Sequence, residues 1–220
     1  LPNRANAYSG IFRNQINLTE VYLPETLTTI GSGCFEGCSS LTNINLPSSL
    51  ININEEAFSN CVSLPIVINT PNLEYLGVNA FCIYDNKIGS LVGIENLGKI
   101  TTIKSSSDWN SGCFRNQTSL TYAKLPNTLT SIGRHAFYNC SALSSITLPP
   151  SITTIDYSAF DGCTSLEIED LSLPNLTEIQ TFAFNGVRIT KISNLGKLIS
   201  LREISWNENI FGDKTTLTLV

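Results

Sequence analysis

Apolar positions along this chain follow one short recurring text, neither helical nor evenly alternating. In Leu41-Thr-Asn-Ile44-Asn-Leu46-Pro47 the apolar residues lie three and then two apart, and Leu143-Ser-Ser-Ile146-Thr-Leu148-Pro149 repeats the spacing. A step of two predicts a short strand with every second side chain inward, and the following proline ends it. Next comes Leu-x-x-Ile-(x)3-Ala-Phe, as Leu50 to Phe58 and Ile152 to Phe160. Neither segment carries a 3.6-residue period, and Asn, Ser, Gly and Pro interrupt every few residues, so few or no long helices are expected.

Eight phenylalanines share one register: Phe12, Phe35, Phe58, Phe81, Phe114, Phe137, Phe160 and Phe184, spaced 23, 23, 23, 33, 23, 23 and 24 residues apart. The long interval holds a variant coil in which Leu91, Ile94, Leu97, Ile100 and Ile103 restore the apolar pattern, with Gly98 in place of the usual proline. Extra residues fall at 82–90 and 104–109. A second variant runs through Ile189, Ile192, Leu195 and Leu198; Asn194-Leu195-Gly196-Lys197 repeats Asn96-Leu97-Gly98-Lys99. Trp206 stands five residues before Phe211 as Trp109 stands five before Phe114, which makes Phe211 a ninth anchor. A lone unit of about 23 residues cannot bury its own apolar side, but stacked copies can, each Leu, Ile and Phe landing on its counterpart in the next coil. The expected architecture is a β-rich solenoid of about nine coils with short parallel strands. It forms one domain over residues 1–220, irregular at 82–113 and 185–211.

The text Phe-x-x-Cys-x-x-Leu-x-x-Ile-x-Leu-Pro, complete at Phe35–Pro47 and Phe137–Pro149, resembles the BspA-like family of leucine-rich repeats found on surfaces of Bacteroides-type bacteria, spirochaetes and some parasitic protists. The likeness covers essentially the whole chain, is clearest in 12–81 and 114–184, and is poorest in 82–113 and 185–220. It implies a right-handed leucine-rich-repeat solenoid and, as for several relatives, adhesion to host or neighbouring-cell proteins at the cell surface or outside the cell. It brings no catalytic residues and no single binding motif, and fold alone does not fix function.

Composition narrows the classes. Charged residues are only 14% of the chain and the net charge is −5. No dense Lys/Arg patch exists to meet a phosphate backbone, so nucleic acid is not an expected partner. No apolar run reaches the roughly 18 residues that span a bilayer, so no membrane insertion is expected within the chain. The first residue is Leu1, with no signal peptide, and Leu217–Val220 read as half a strand. Both features suggest a piece of a longer protein.

The seven cysteines follow the repeat. Cys38, Cys61, Cys140 and Cys163 each stand three residues after an anchor Phe, and Cys34 and Cys113 directly precede one. These are slots for small inward side chains, which favours buried free thiols over disulfides. Cys82, in an insertion, is the one expected to be exposed. Zinc is not expected, because tight Cys-x-x-Cys pairs are absent. The single histidine, His135, shares its slot with Gly33, Glu56, Asn79, Gly112 and Ser158, and reads as a variable surface position and not a catalytic base. Glu55-Glu56 and Glu167, Glu169 and Asp170 read as solvated charges ahead of a glycosidase dyad or calcium site. No catalytic, metal or cofactor residues are assigned. Glycosylation sequons begin at Asn17, Asn116, Asn139 and Asn175, as an Asn-rich chain produces by chance.

Binding is expected on the strand side, usually concave in such solenoids, through residues flanking the inward one: Glu20 and Tyr22, Asn43 and Asn45, Ile66 and Ile68, Gly93 and Glu95, Tyr122 and Lys124, Ser145 and Thr147. In the coil from 160 to 184 either Ile168 or Leu171 is inward. The partner implied is a protein ligand, such as a host, neighbouring-cell or matrix protein, or a carbohydrate. The inserted loops are the other candidates, since specificity often resides in loops on a rigid scaffold. Trp109 and Trp206 are read instead as filling the wider convex gap of a long coil. A structural spacer that displays another domain is the alternative function.

Overall fold

The computed structural model describes residues 10–85, 87–198 and 218–219; Trp206 and Phe211 lie outside the described residues. Among the described residues, each coil between Glu20 and Phe184 contributes a first strand (split in two at Glu167–Ile168 and Leu171–Ser172), a second strand and a return turn that carries the anchor Phe. First strands include Val67–Asn69, Gly93–Asn96, Tyr122–Lys124 and Ser145–Thr147, which form one four-stranded parallel sheet. Second strands form a three-stranded sheet (Thr29–Ile30, Asn52–Ile53, Tyr75–Leu76) and a four-stranded one (Thr102–Ile103, Ser131–Ile132, Thr154–Ile155, Glu178–Ile179). The break between these two sheets falls in the 33-residue interval. No helix occurs among the described residues.

A third ladder runs through the turns. Phe35, Phe58, Phe114 and Phe137 each donate their backbone N–H to the alanine carbonyl one coil on, at 2.8 Å. The turn backbone, which no regular sheet pairs, is thereby satisfied coil to coil. Consecutive anchor rings from Phe12 to Phe184 stack with centroids 5.0–5.8 Å apart and planes within 4–18°. Phe35 to Phe184 are fully buried, whereas Phe12 is 37% exposed. One apolar core runs unbroken from Leu23 to Ile192.

The thiols complete this ladder. Cys38 donates to the Phe12 carbonyl at 2.9 Å, and Cys61, Cys140 and Cys163 to the carbonyls of Phe35, Phe114 and Phe137 at 3.1 Å. In the coil after Phe114 the same slot holds Gln117, whose Nε2 donates to the Phe81 carbonyl at 2.7 Å. All seven cysteines are free and buried. Burial pushes their thiols up, to about 11 at Cys34 and about 12 at Cys163. Cys82, expected at the surface, is fully buried with its thiol directed at the Asn110 carbonyl, 3.6 Å away. The insertion folds back over it.

The slot two residues before six of the eight described anchors is constrained by backbone conformation; Gly112, before Phe114, departs from it at φ 157°. Gly33, Glu56, Asn79, His135, Ser158 and Phe182 all have φ of 50–59°. The residue two after the anchor is also left-handed, at Asn14, Gly37, Asn60, Asn116, Asn139, Gly162 and Gly186 with φ of 56–84°. Gly and Asn dominate this second slot because they reach that region at least cost. His135, expected at the surface, is 4% exposed. Its slot varies in side chain because the turn selects a conformation and leaves the chemistry open.

In three of the four sequons the Asn side chain bonds to a neighbouring coil. The amide of Asn116 donates to the Ile83 carbonyl at 2.8 Å, that of Asn139 to Asn116 at 3.1 Å, and that of Asn175 to the Pro150 carbonyl at 2.9 Å. Among the acidic residues, Glu55 accepts from Ser32 and Tyr75 in neighbouring coils. Glu167 pairs with Arg188 at 2.7 Å, and Asp170 with Lys191 at 2.8 Å. Among the described residues no three His, Cys, Asp or Glu side chains gather as metal ligands.

Candidate functional site

The strand side departs from the expected register at one coil. Val67 and Ile68 pair with Gly93 and Ile94, so Ile68 is inward and fully buried, while Val67 is outward and 42% exposed. Pro65 is an extra residue between Leu64 and its strand, and a slip of one residue exchanges the two faces. The Phe spacing conceals the slip because the next turn is one residue shorter: Pro71 precedes Leu73 by two, where Pro47 precedes Leu50 by three. Ile66 is half-buried against the core. In the coil from 160 to 184 both candidates turn inward: Ile168 pairs with Ile189 and Leu171 with Ile192, on separate short strands.

The other expected surface residues lie outward, with different freedom to meet a ligand. Glu20, Asn43, Ser145 and Thr147 are exposed. Tyr22 is the most open large hydrophobic side chain among the described residues, its hydroxyl 3.4 Å from Glu20. Asn45 is engaged within the fold, its side chain bonding both the N–H and the carbonyl of Leu23 at 2.6 and 2.8 Å. Glu95 and Lys124 form an ion pair at 2.5 Å. Tyr122 lies over Gly93: a Cβ there would meet the phenol ring at 2.3 Å. With no side chain at Gly93, the ring covers the backbone between the Tyr122 and Val67 strands. Val92, 37% exposed, donates its N–H to the Ile66 carbonyl at 3.1 Å. Val67, Val92 and Tyr122 thus lie together on the outward side in mid-face, beside the Glu95–Lys124 pair.

A second cluster sits on the turn edge. Successive coils align His135, Ser158 and Phe182 before their anchors and Arg115, Tyr138, Asp161 and Asn185 just after theirs. The insertion at 104–109 brings Trp109 against this row. Trp109 does not fill a gap; it is 68% exposed and meets Tyr157 edge-on at 5.9 Å. The Arg134 guanidinium lies over both rings, 4.5 Å from Trp109 and 4.7 Å from Tyr157, and donates to the Ser107 carbonyl at 3.3 Å. The seven positions just named, from four successive coils, line a cleft of about 260 Å³ together with Tyr157 and Trp109. Asp161 accepts from Ser158 at 3.1 Å and from the Asn185 amide at 2.8 Å, and burial raises its carboxyl. Burial, then the charges of Arg115 and Arg134, hold the His135 imidazole down at about 4, so it is neutral near pH 7. Its ring meets Tyr138 and Tyr157 edge-on at 5.2 and 5.6 Å, and Arg115 stacks on Tyr138 at 4.2 Å. Aromatic residues recurring next to the anchors, beside the Trp109 insertion, were the sequence signal for this cluster.

Parallel coils with Leu and Ile at fixed strand slots, closed by a Phe ladder, define a leucine-rich repeat solenoid. The chain belongs to the BspA type leucine-rich repeat family, whose model matches residues 6–107 and 86–218 in six copies. No curated protein matches the sequence significantly. Among solved structures, a leucine-rich repeat protein from Eubacterium ventriosum is similar with a TM-score of 0.63 at 24% identity, over 79% of this chain and 44% of that one. Another from Bacteroides ovatus has a TM-score of 0.48 at 23% identity, over 81% and 44%. A leucine-rich cell surface protein from Faecalibacterium prausnitzii has 0.43 at 24%, over 86% and 62%. The chain therefore spans less than two-thirds of the length of each. The Eubacterium likeness carries the fold. No helix among the described residues is long and apolar enough to cross a membrane.

Proposed function

We propose that this chain is a non-catalytic adhesion module of a cell-surface or secreted protein, and that it holds a protein ligand on its strand side. The carrying observation is the apolar patch of Val67, Val92 and Tyr122, rimmed by Glu95 and Lys124. Protein interfaces concentrate affinity in such a centre, with aromatic anchors favoured and a polar rim excluding water. Tyr122 suits the role because its ring is already held over Gly93, so little rotamer freedom is lost on binding. The family assignment supports the location.

The test is a triple variant, Val67→Ser, Val92→Ser and Tyr122→Ala, assayed for binding to a panel of immobilised extracellular-matrix proteins. These side chains are partly or largely in solvent, so the circular dichroism spectrum is expected to stay native. Affinity for the bound matrix protein is expected to fall at least about tenfold, the equivalent of roughly 1.4 kcal/mol. Unchanged affinity, or no binding by the parent protein to any member of the panel, would favour a spacer that displays another domain.

A further inference from the structure

We propose that the cleft beside Trp109 is a carbohydrate subsite that seats one neutral pyranose residue. It lies on the turn edge and is independent of the strand-side reading. A pyranose presents an apolar C–H face and a rim of hydroxyls, each both donor and acceptor. The cleft matches both. Its walls are the rings of Trp109, Tyr138, Tyr157 and Phe182, with Trp109 mostly in solvent. Such large exposed aromatic surfaces gain most by being covered.

The polar groups suit a pair of adjacent hydroxyls. Asp161 is acceptor-only when ionised, with about four lone-pair sites, of which Ser158 and Asn185 occupy two. Arg115, also in the wall, supplies donors and is held in place by stacking on Tyr138. One hydroxyl can donate to the carboxylate while its neighbour accepts from the guanidinium. His135 adds a wall group whose Nδ1 is buried without a hydrogen-bond partner, an arrangement native proteins seldom leave unused.

Charge and size select within the sugars. Among the lining residues Arg115 and Asp161 balance and His135 is neutral; Arg134, outside the lining, is already stacked on Trp109 and Tyr157, and an acidic sugar would face the Asp161 carboxylate. The cleft, at about 260 Å³, is just below the roughly 300–1,000 Å³ of pockets for drug-sized ligands, which suits a single ring. A second hollow of about 530 Å³ shares Arg115 and Tyr138 with it and gives the next residue of an oligosaccharide a path along the edge.

Saturation-transfer NMR on the intact protein tests this with the methyl pyranosides of glucose, galactose, mannose and N-acetylglucosamine, alongside glucuronic and sialic acids. Saturable binding of at least one neutral pyranoside is expected, with Kd of roughly 1 mM. Trp109→Ala and Asp161→Asn should each weaken it at least about tenfold without altering the melting temperature of the Trp109 variant, whose side chain is outside the core. The strand-side triple variant should bind the sugar as the parent does. The proposal is overturned if no neutral pyranoside saturates, if only the acidic sugars bind, or if both cleft variants bind unchanged.

Discussion

Phe137→Ala will lower the unfolding free energy by about 3–5 kcal/mol, whereas Phe12→Ala will lower it by under about 2. The difference follows from position in the stack. Phe137 is fully buried, with rings on both sides, Phe114 at 5.2 Å and Phe160 at 5.3 Å. Truncation there leaves a cavity bounded by neighbouring coils, which cannot collapse without breaking their ladders. Phe12 is 37% exposed and, among the described anchors, stacks on Phe35 alone. Much of its transfer energy is therefore never gained. Equilibrium urea unfolding of both variants checks this. Equal shifts in midpoint would contradict nearest-neighbour stacking, in which each coil is stabilised by the coils it touches.

The second large effect is expected at Gln117. Its side chain, 2% exposed, donates to the Phe81 carbonyl at 2.7 Å and accepts the Leu91 N–H at 3.2 Å. It lies where the 82–90 insertion rejoins the stack, against Gly89, where a Cβ would come within 2.1 Å of its carbonyl oxygen. Gln117→Leu leaves both backbone groups buried without their partner. At about 1–3 kcal/mol for each, the loss is on the order of 2–6 kcal/mol. Gln117→Cys, which restores the donor used in four other coils, should lose only part of that. If the Leu variant unfolds at the same urea concentration as the parent, the ladder of donors onto the anchor carbonyls has no energetic weight.

Much of this was legible in the sequence because a stacked coil repeats its burial pattern. The Phe register, the inward Cys slots and the first strand of each coil all follow from that repetition, whereas the second strand, such as Asn52–Ile53, lies in a return segment too short in its apolar pattern to announce one. The misplacements fall where local compensation hides a shift or where conformation replaces chemistry. Pro65 and the shortened turn at Pro71 cancel in the Phe count, so Ile68 was placed outward. His135 shares a slot with Gly, Asn and Ser; sequence shows their diversity but not the common left-handed φ. Cys82 and Trp109 exchanged their expected environments because each lies in an insertion, which has no counterpart coil to reveal its direction.

The candidate surfaces were legible to different degrees. Period-two alternation identified Tyr22, Asn43, Tyr122, Lys124, Ser145 and Thr147 as outward. The apolar patch depends on the register slip and on a ring crossing a missing side chain, neither of which spacing reports. The cleft at Trp109 combines residues from four coils and an insertion, and its geometry exists only once the coils are stacked.

Hydrogen exchange of the phenylalanine amides, followed by NMR after selective 15N labelling, tests the stack most directly. The amides of Phe35, Phe58, Phe81, Phe114, Phe137 and Phe160 donate to the next coil at 2.8–3.0 Å, and they are predicted to be among the slowest in the chain, exchanging only as the coils separate. Rapid exchange at these six positions, at rates typical of exposed amides, would contradict the stacked solenoid.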